Sequence, residues 1–208
     1  MRSDTAEPRR LVVAISGASG AVLGFRALEV LREYGGIETH LVVSHGARAA
    51  IKEETSFTVK DVAALADVTH HPADLGASIA SGSFRTDGML VAPCSIKTLS
   101  GVANSYADNL VVRAADVTLK ERRRLVLLVR ETPLHAGHLR LMTEAAAAGA
   151  IIMPPVPAFY THPASLADVV EHTVLRSLEL LGVNDLTLRR WTGRGAFADI
   201  APRIREEG

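Results

Sequence analysis

The chain has 208 residues, of which 48% are hydrophobic and 22% are charged, the composition of an ordinary globular protein with one sizeable core. Its 23 lysines and arginines balance 23 aspartates and glutamates, so no overall field favours nucleic acid or an anionic membrane as partner. The single cysteine, Cys94, excludes an intrachain disulfide, and no apolar run reaches the ~18 residues of a membrane span. The polar N-terminus is unlike a secretory signal, and we expect a cytoplasmic protein.

The first elements form a strand–helix–strand unit. An apolar run over 11–16 predicts a strand, and leucines and valines at helical spacing over 21–34 predict a helix. A second strand is predicted over 38–44, after two glycines that stop the helix. Such a unit joins parallel strands by a right-handed crossover.

The same alternation continues along the chain. Further helices are predicted at 47–54, 96–107, 109–122, 139–148 and 166–181, and further strands at 88–92, 125–129 and 150–153. Strands that are apolar throughout suit a parallel sheet covered on both faces. We therefore predict a single-domain α/β fold over 10–183, a Rossmann-like or flavodoxin-like three-layer sandwich with a mostly parallel sheet. Residues 1–9 are predicted as an N-terminal tail, and 184–208 as a C-terminal tail that packs on a neighbouring subunit.

Polar or tight-turn residues follow the predicted strands at their carboxyl ends. The GASG loop at 17–20 follows the first strand, and Ser44 ends the second. Residues 93–95, 130–133 and 154–155 follow the later strands. Ligands of open α/β sheets bind at this edge, so the residues together predict a single site.

The GASG loop favours a nucleotide, although a tight turn needed only for packing has the same sequence. Small residues let the backbone approach an anion, towards which the next helix points its free N–H groups. The spacing is not GxGxxG, and the second strand ends at Ser44 instead of an acid that could hold a ribose hydroxyl. A flavin mononucleotide therefore fits better than a nicotinamide dinucleotide.

Other candidate residues have two interpretations each. Hydroxyls that could donate to a phosphate, or cap helices, are those of Ser81, Ser83, Thr86, Ser95 and Thr98. Arg113 and Lys120, seven residues apart, share a helical face as solvated charges or as a binding pair. Arg130-Glu131 follows an apolar strand, where a carboxylate beside an arginine can act on a leaving group.

Two further features have simpler interpretations. His135 and His138 have helical spacing for a metal ion, but no third ligand is evident nearby in the sequence. Cys94 is interpreted as a small buried residue rather than a reactive thiol.

Four segments carry a family resemblance. They are ISGASGAVLG at 15–24, ASGSFRTDGMLVAPCSIKTLSGVA at 80–103, DNLVVRAADVTLKERRRLVLLVRETPL at 108–134 and GAIIMPPVPAFY at 149–160. With them the chain resembles the UbiX/Pad-type flavin prenyltransferases, within the superfamily of homo-oligomeric flavin-containing cysteine decarboxylases. The resemblance extends from about Arg10 to Val183.

The resemblance implies a reaction and an assembly. Such an enzyme joins the dimethylallyl group of dimethylallyl phosphate to N5 and C6 of reduced FMN. The product, prenylated FMN, is the cofactor of UbiD-type decarboxylases, and no metal is required. A homododecamer is implied, in which Tyr160 and Arg176 face a flavin held by a neighbouring subunit.

The resemblance also assigns residues. Contacts to the flavin nucleotide would come from Gly17, Ala18, Ser19, Ser44, Cys94, Ser95, Ile96, Lys97 and Arg130. Tyr160 and Arg176 would bind the prenyl phosphate, with Arg113 and Lys120 completing a basic cradle. Ser19 and Glu54 would manage the proton at flavin N5, and Glu131 would assist departure of phosphate as an acid.

Some positions and alternatives stay open. Residues 104–106 replace a glycine of many relatives, and the choice of Glu54 over Glu53 rests on a count from Ser44. One alternative is a cysteine decarboxylase of the same superfamily, although 81–86 stand where those enzymes have a catalytic histidine. A non-catalytic flavin-binding accessory subunit is the other. The choice of mono- or diphosphate donor and the partner decarboxylase are not fixed by the sequence.

Overall fold

Six strands run parallel in one sheet within residues 8–191, the part of the chain that this computed structural model describes. They are β1 (Arg9–Ile15), β2 (Ile37–Val43), β3 (Val68–His70), β4 (Gly88–Cys94), β5 (Arg124–Val129) and β6 (Ala150–Ile152). The order across the sheet is β3-β2-β1-β4-β5-β6. The predicted α/β fold is confirmed, and its strand order is the Rossmann-like one.

Helices cover both faces of this sheet. They are α1 (Ala21–Tyr34), α2 (His45–Glu54), α3 (Val59–Ala63), α4 (Ile96–Ala103), α5 (Leu110–Lys120), α6 (Ala136–Ala147) and α7 (Leu166–Leu180). Alternate residues of β1 enter two separate cores: Leu11 and Val13 pack with α1 and α7, whereas Val12 packs with α4, α5 and α6. The sheet is therefore apolar on both faces, which explains why the predicted strands lack polar alternation.

The structure corrects several predicted boundaries. The helix predicted over 96–107 ends at Ala103, because Ser105 adopts a left-handed φ of 51° and Asn104 donates its side-chain N–H to the Ser100 carbonyl. Neither α3 nor β3 was predicted from the sequence. They are short, and β3 is a partly exposed edge strand of only 3 residues.

The tails are only partly described. Of the predicted tail segments, residues 1–7 and 192–208 lie outside the described residues.

The strand order reverses between β1 and β4, which leaves a crevice at their carboxyl ends. Helix α1 leaves this edge and approaches β4 closely at Gly24. A Cβ added there would lie 2.5 Å from the Ala92 carbonyl oxygen and 2.6 Å from Cγ1 of Ile15. Glycine is thus required for α1 to pack on the sheet.

We expect Gly24→Ala to lower the free energy of unfolding by about 1–3 kcal/mol. Overpacking against a backbone oxygen and a buried side chain outweighs the ~1 kcal/mol that alanine gains over glycine in a helix. Urea denaturation measures the change. Gly76→Ala is the matched control, because its added Cβ meets only a side-chain oxygen of Asp74 at 3.4 Å. Equal stability of the two variants would contradict this account of the contact.

Candidate functional site

A cleft of about 600 Å³ opens at the carboxyl ends of β1, β2, β4 and β5. Of the residues predicted for the site, it is lined by Gly17, Ala18, Ser19, Ser44, Ser95, Ile96, Lys97, Arg130 and Glu131. These residues come from four separate loops. The sequence showed only that each of them follows a strand, and the fold brings them together in one cleft.

Other lining residues were missed as site residues by the sequence analysis. They are His45, Gly46, Pro72, Ala73, Asp108 and Asn109. Pro72 and Ala73 follow the unpredicted β3, and the Pro72 carbonyl accepts the Leu110 N–H at 2.8 Å. Had β3 been predicted from the sequence, Pro72 and Ala73 would have been recognised as residues that follow a strand and therefore as candidates for the site. Thr98, named only as a phosphate donor or cap, also lines the cleft.

The loops after β1 and β2 meet at two glycines. A Cβ added to Gly17 would lie 2.9 Å from both Cα and the carbonyl carbon of Gly46. Only glycine at position 17 lets these two backbones approach without displacement. The loop is therefore a tight packing turn, and the same close approach forms a wall of the cleft.

Glu54 reaches the β1–α1 loop from the end of α2. Its Oε2 accepts the Gly20 N–H at 2.7 Å and the Ala21 N–H at 3.4 Å. Burial raises the pKa of Glu54, but hydrogen bonds from the Gly20 N–H, the Ser19 hydroxyl and the Ala21 N–H, together with the charge of Arg130, bring it below its ordinary value. The contact therefore stabilises the fold above the ordinary carboxyl range and is lost as the pH falls through the lowered value.

The N-terminus of α4 forms another wall. Ser95 caps it, with its hydroxyl oxygen accepting the Thr98 N–H at 3.3 Å. The first-turn N–H groups of a helix lack partners within it, and Ile96 and Lys97 carry two of them at the cleft. The Lys97 ammonium lies 3.8 Å from an Asp108 carboxylate oxygen and is largely exposed. This wall combines donors and a cation, which suits an anionic or strongly polar ligand.

Arg130 and Glu131 complete the cleft after β5. The Arg130 N–H donates to the Cys94 carbonyl at 3.0 Å, which ties the β5 end to the β4 end. Glu131 accepts the N–H of Thr132 at 3.1 Å with its own side chain. The cleft is thus lined by the carboxylates of Asp108 and Glu131 and by Arg130. Glu54 does not line it and reaches the β1–α1 loop through the Gly20 N–H.

Four predicted substrate-binding residues do not line this cleft in their own chain. Arg113 donates to the Ala80 carbonyl at 3.0 Å and pairs with Asp116, and Lys120 pairs with Glu121. Arg176 pairs with Glu179 on α7. Tyr160 packs edge-on against the rings of His172 and Trp191.

Cys94 lies beneath the cleft rather than in its wall. It is fully buried, and burial raises the pKa of its thiol to about 12. The interpretation as a small buried residue therefore agrees with the structure.

The structure places no third metal ligand beside His135 and His138 within the described residues. Their ring centroids lie 3.7 Å apart, and Nδ1 of His135 accepts the Gly137 N–H at the start of α6. Within residues 8–191, no three His, Cys, Asp or Glu side chains form a group that could hold a metal ion.

None of the helices within residues 8–191 is both long enough and apolar enough to span a membrane.

A family model, curated proteins and solved structures that are similar to this chain all belong to flavoproteins. The family model described as Flavoprotein matches residues 1–174. The flavin prenyltransferase UbiX of Escherichia coli (strain K12) is 61% identical over 188 residues, which cover 89% of this chain and 99% of that relative.

Two crystal structures are similar over most of the chain. AnUbiX (PadA1) in complex with FMN and dimethylallyl pyrophosphate has a TM-score of 0.87 at 50% identity, covering 90% of this chain and 99% of that one. A dodecameric FMN-dependent UbiX-like decarboxylase from Escherichia coli O157:H7 has a TM-score of 0.86 at 52% identity, covering 88% and 100%.

We expect the Cys94 thiol to resist Ellman's reagent near pH 8 in the folded protein. A thiol with a pKa of about 12 is almost entirely protonated at that pH, and the thiolate is the reactive form. Absorbance of the released thiolate should show no reaction in native protein and one thiol per chain in guanidinium. Rapid labelling of native protein would contradict the burial of Cys94.

Proposed function

Because this chain belongs to the Flavoprotein family, and within it to the UbiX-type flavin prenyltransferases, we propose that it joins the dimethylallyl group of dimethylallyl phosphate to N5 and C6 of reduced FMN. The observation that carries the proposal is the 61% identity to a flavin prenyltransferase over 99% of that relative's length. The cleft supports it, because Glu131 and the loops proposed to bind the nucleotide line it together, and Glu54 bonds to the first of these loops. The product, prenylated FMN, would then serve a UbiD-type decarboxylase.

The cleft fits FMN in shape and chemistry. Its volume of about 600 Å³ is within the range of cofactor sites, and its floor is free of side chains where Gly17 meets Gly46. The flavin contacts we propose are Gly17, Ala18, Ser19, Ser44, Ser95, Ile96, Lys97 and Arg130, with Cys94 acting from beneath through its backbone carbonyl. When bound, reduced FMN supplies the nucleophilic atoms and a π face for the positive charge that develops on the allylic group.

Ser19 and Glu54 would manage the proton at N5. Glu54 is a carboxylate at neutral pH because its pKa is lowered, and it accepts a hydrogen bond from the Ser19 hydroxyl. Ser19 can therefore take a proton from a partner in the cleft while it passes its own to Glu54. The geometry favours Glu54 over Glu53, since Glu54 is the acid that bonds to the β1–α1 loop.

Glu131 would act at the other end of the reaction. It lines the same cleft beside Arg130, where an acid can protonate the departing phosphate oxygen. Fixed cations stabilise charge that develops on a leaving group in a site from which water is excluded. The departed phosphate can take the proton released at C6, and one proton is returned to the prenyl double bond, so the reaction balances with the groups named and the proposal requires no metal.

The prenyl phosphate would be bound by Tyr160 and Arg176, with Arg113 and Lys120. Because none of the four lines the cleft of its own chain, we propose that they act across subunit contacts of a homododecamer. Support comes from the dodecameric relative and from large apolar side chains around Tyr160. Val156, Phe159 and Leu166 are 71%, 74% and 77% exposed in the single chain.

The domain limits remain part of this proposal. We assign the flavin-binding domain to 9–183 instead of the predicted 10–183, because Arg9 already belongs to β1. In the C-terminal tail assigned to 184–208, Leu186 and Leu188 pack on the core of their own chain, and the proposed packing of this tail on a neighbouring subunit is additional to that contact.

The direct test is anaerobic incubation with reduced FMN and dimethylallyl monophosphate, followed by mass spectrometry of the extracted flavin. We expect the flavin to gain one dimethylallyl unit. Parallel samples with the diphosphate, and with a cysteinyl peptide instead of a prenyl donor, test the other donor and the cysteine decarboxylase alternative. Unchanged flavin, beside a flavin prenyltransferase that succeeds under the same conditions, would contradict the proposal.

Glu54→Gln should lower the rate of flavin alkylation by about 100-fold, because the amide cannot accept the proton from Ser19. Single-turnover mass spectrometry of the flavin measures this rate. The matched control is Glu53→Gln, an adjacent exposed acid on the same helix, which should retain the rate within about twofold. A larger effect at Glu53 than at Glu54 would reverse the assignment.

A further inference from the structure

Proline interrupts the hydrogen-bond ladder of a central strand. The pairing between β1 and β4 runs from Leu11 with Gly88 to Ala14 with Val91 and then stops. On its other side β4 changes register with β5 between Val91 and Cys94. Pro93 lies within this irregular end and has no N–H to donate, which is why proline in a central strand is confined to such bulges.

The hydroxyl of Ser16 replaces the missing ladder bonds. It donates to the Pro93 carbonyl at 2.9 Å and accepts the Ser95 N–H at 2.7 Å. The Ser16 backbone N–H also donates to the Pro93 carbonyl, at 3.2 Å. Ser16 is 1% exposed, so water does not compete for these bonds.

Ser16 joins two walls of the cleft, the β1–α1 loop and the start of α4. Ser16 precedes Gly17, the first residue of the β1–α1 loop, and its hydroxyl holds Ser95, the cap of α4. Without this hydroxyl the Ser95 N–H lacks its acceptor, and the start of α4 can move relative to the loop at Gly17. Ser16 itself does not line the cleft.

We propose that Ser16 is a positioning residue of the flavin site, which sets the spacing between the β1–α1 loop and the N-terminus of α4. The proposal rests on the proposed binding of FMN. Ser16 acts through Gly17 and Ser95, the residues that would touch the nucleotide. Removal of the Ser16 hydroxyl should therefore weaken FMN binding by more than the loss of protein stability alone would cause.

The chain offers a matched control for the stability effect. Ser177 is also fully buried, and its hydroxyl donates to the Val174 carbonyl at 2.7 Å within α7. Ser177→Ala removes a buried hydroxyl and a hydrogen bond at a distance from the cleft. A purely structural role of Ser16 would make the two alanine variants alike in FMN binding.

The experiment measures the Kd for FMN by flavin fluorescence, and the Tm, for the wild type, Ser16→Ala, Ser16→Thr and Ser177→Ala. We expect both alanine variants to lower the Tm. Only Ser16→Ala should weaken FMN binding, by about tenfold or more, which corresponds to ~1.4 kcal/mol. Ser16→Thr, which keeps the hydroxyl, should bind FMN within about threefold of the wild type.

Two results would overturn the assignment of Ser16: equal FMN affinity of Ser16→Ala and Ser177→Ala, or a threonine variant as weak as the alanine variant. If Ser16→Ala does not fold, Ser16→Cys gives the same comparison, because a thiol keeps the size but is a weak donor and acceptor. Failure of the wild type to bind FMN would instead overturn the proposed function, and the role of Ser16 with it.

Discussion

Backbone polar groups at the carboxyl end of β1 have to be paired, because the sheet around them is covered on both faces and excludes water. The Ile15 carbonyl accepts the Ser44 N–H at 3.0 Å, which fixes the loop after β2. The next residue, Ser16, fixes the loop after β4, and the loop after β5 joins it through the Arg130 N–H and the Cys94 carbonyl. The loops after β1, β2, β4 and β5 that line the cleft are thus all connected, directly or through one another, to the central strand of the fold. Such preorganised donors and charges need little rearrangement when a reaction develops charge.

The electrostatics of the single chain are divided between two regions. Glu131 and Arg130 line the cleft and Glu54 bonds to the loop after β1, whereas the cations proposed to bind the prenyl phosphate lie outside the cleft in ion pairs with neighbouring acids. Solvent-exposed pairs of this kind contribute ~0–1 kcal/mol, since water screens them and the side chains lose freedom. If these cations bind the prenyl phosphate as proposed, the phosphate can therefore replace the acid as partner at little cost.

Much of the fold could be predicted from the sequence, because both cores are built from strands with no polar alternation. The apolar run at 125–129 was placed correctly to within a residue, and the run at 11–16 to within two residues. The failures have local causes. The β3 strand is short and partly exposed at the sheet edge, so its periodicity is too weak to detect, and the helix from Ile96 ends in a turn without glycine.

The carboxyl ends of parallel strands meet at one edge of a sheet, and this rule predicted part of the candidate site. That rule places Ser19, Ser95 and Arg130 together without any knowledge of side-chain contacts. It cannot find Ser16, because its partners Pro93 and Ser95 lie about 80 residues away and no local pattern distinguishes this serine from the end of an apolar strand. The rule also does not choose between Glu53 and Glu54, because the choice depends on which carboxylate reaches the Gly20 N–H. Sequence patterns thus identify the residues that face a ligand, whereas the residues that hold them in place are identified by hydrogen bonds between distant segments.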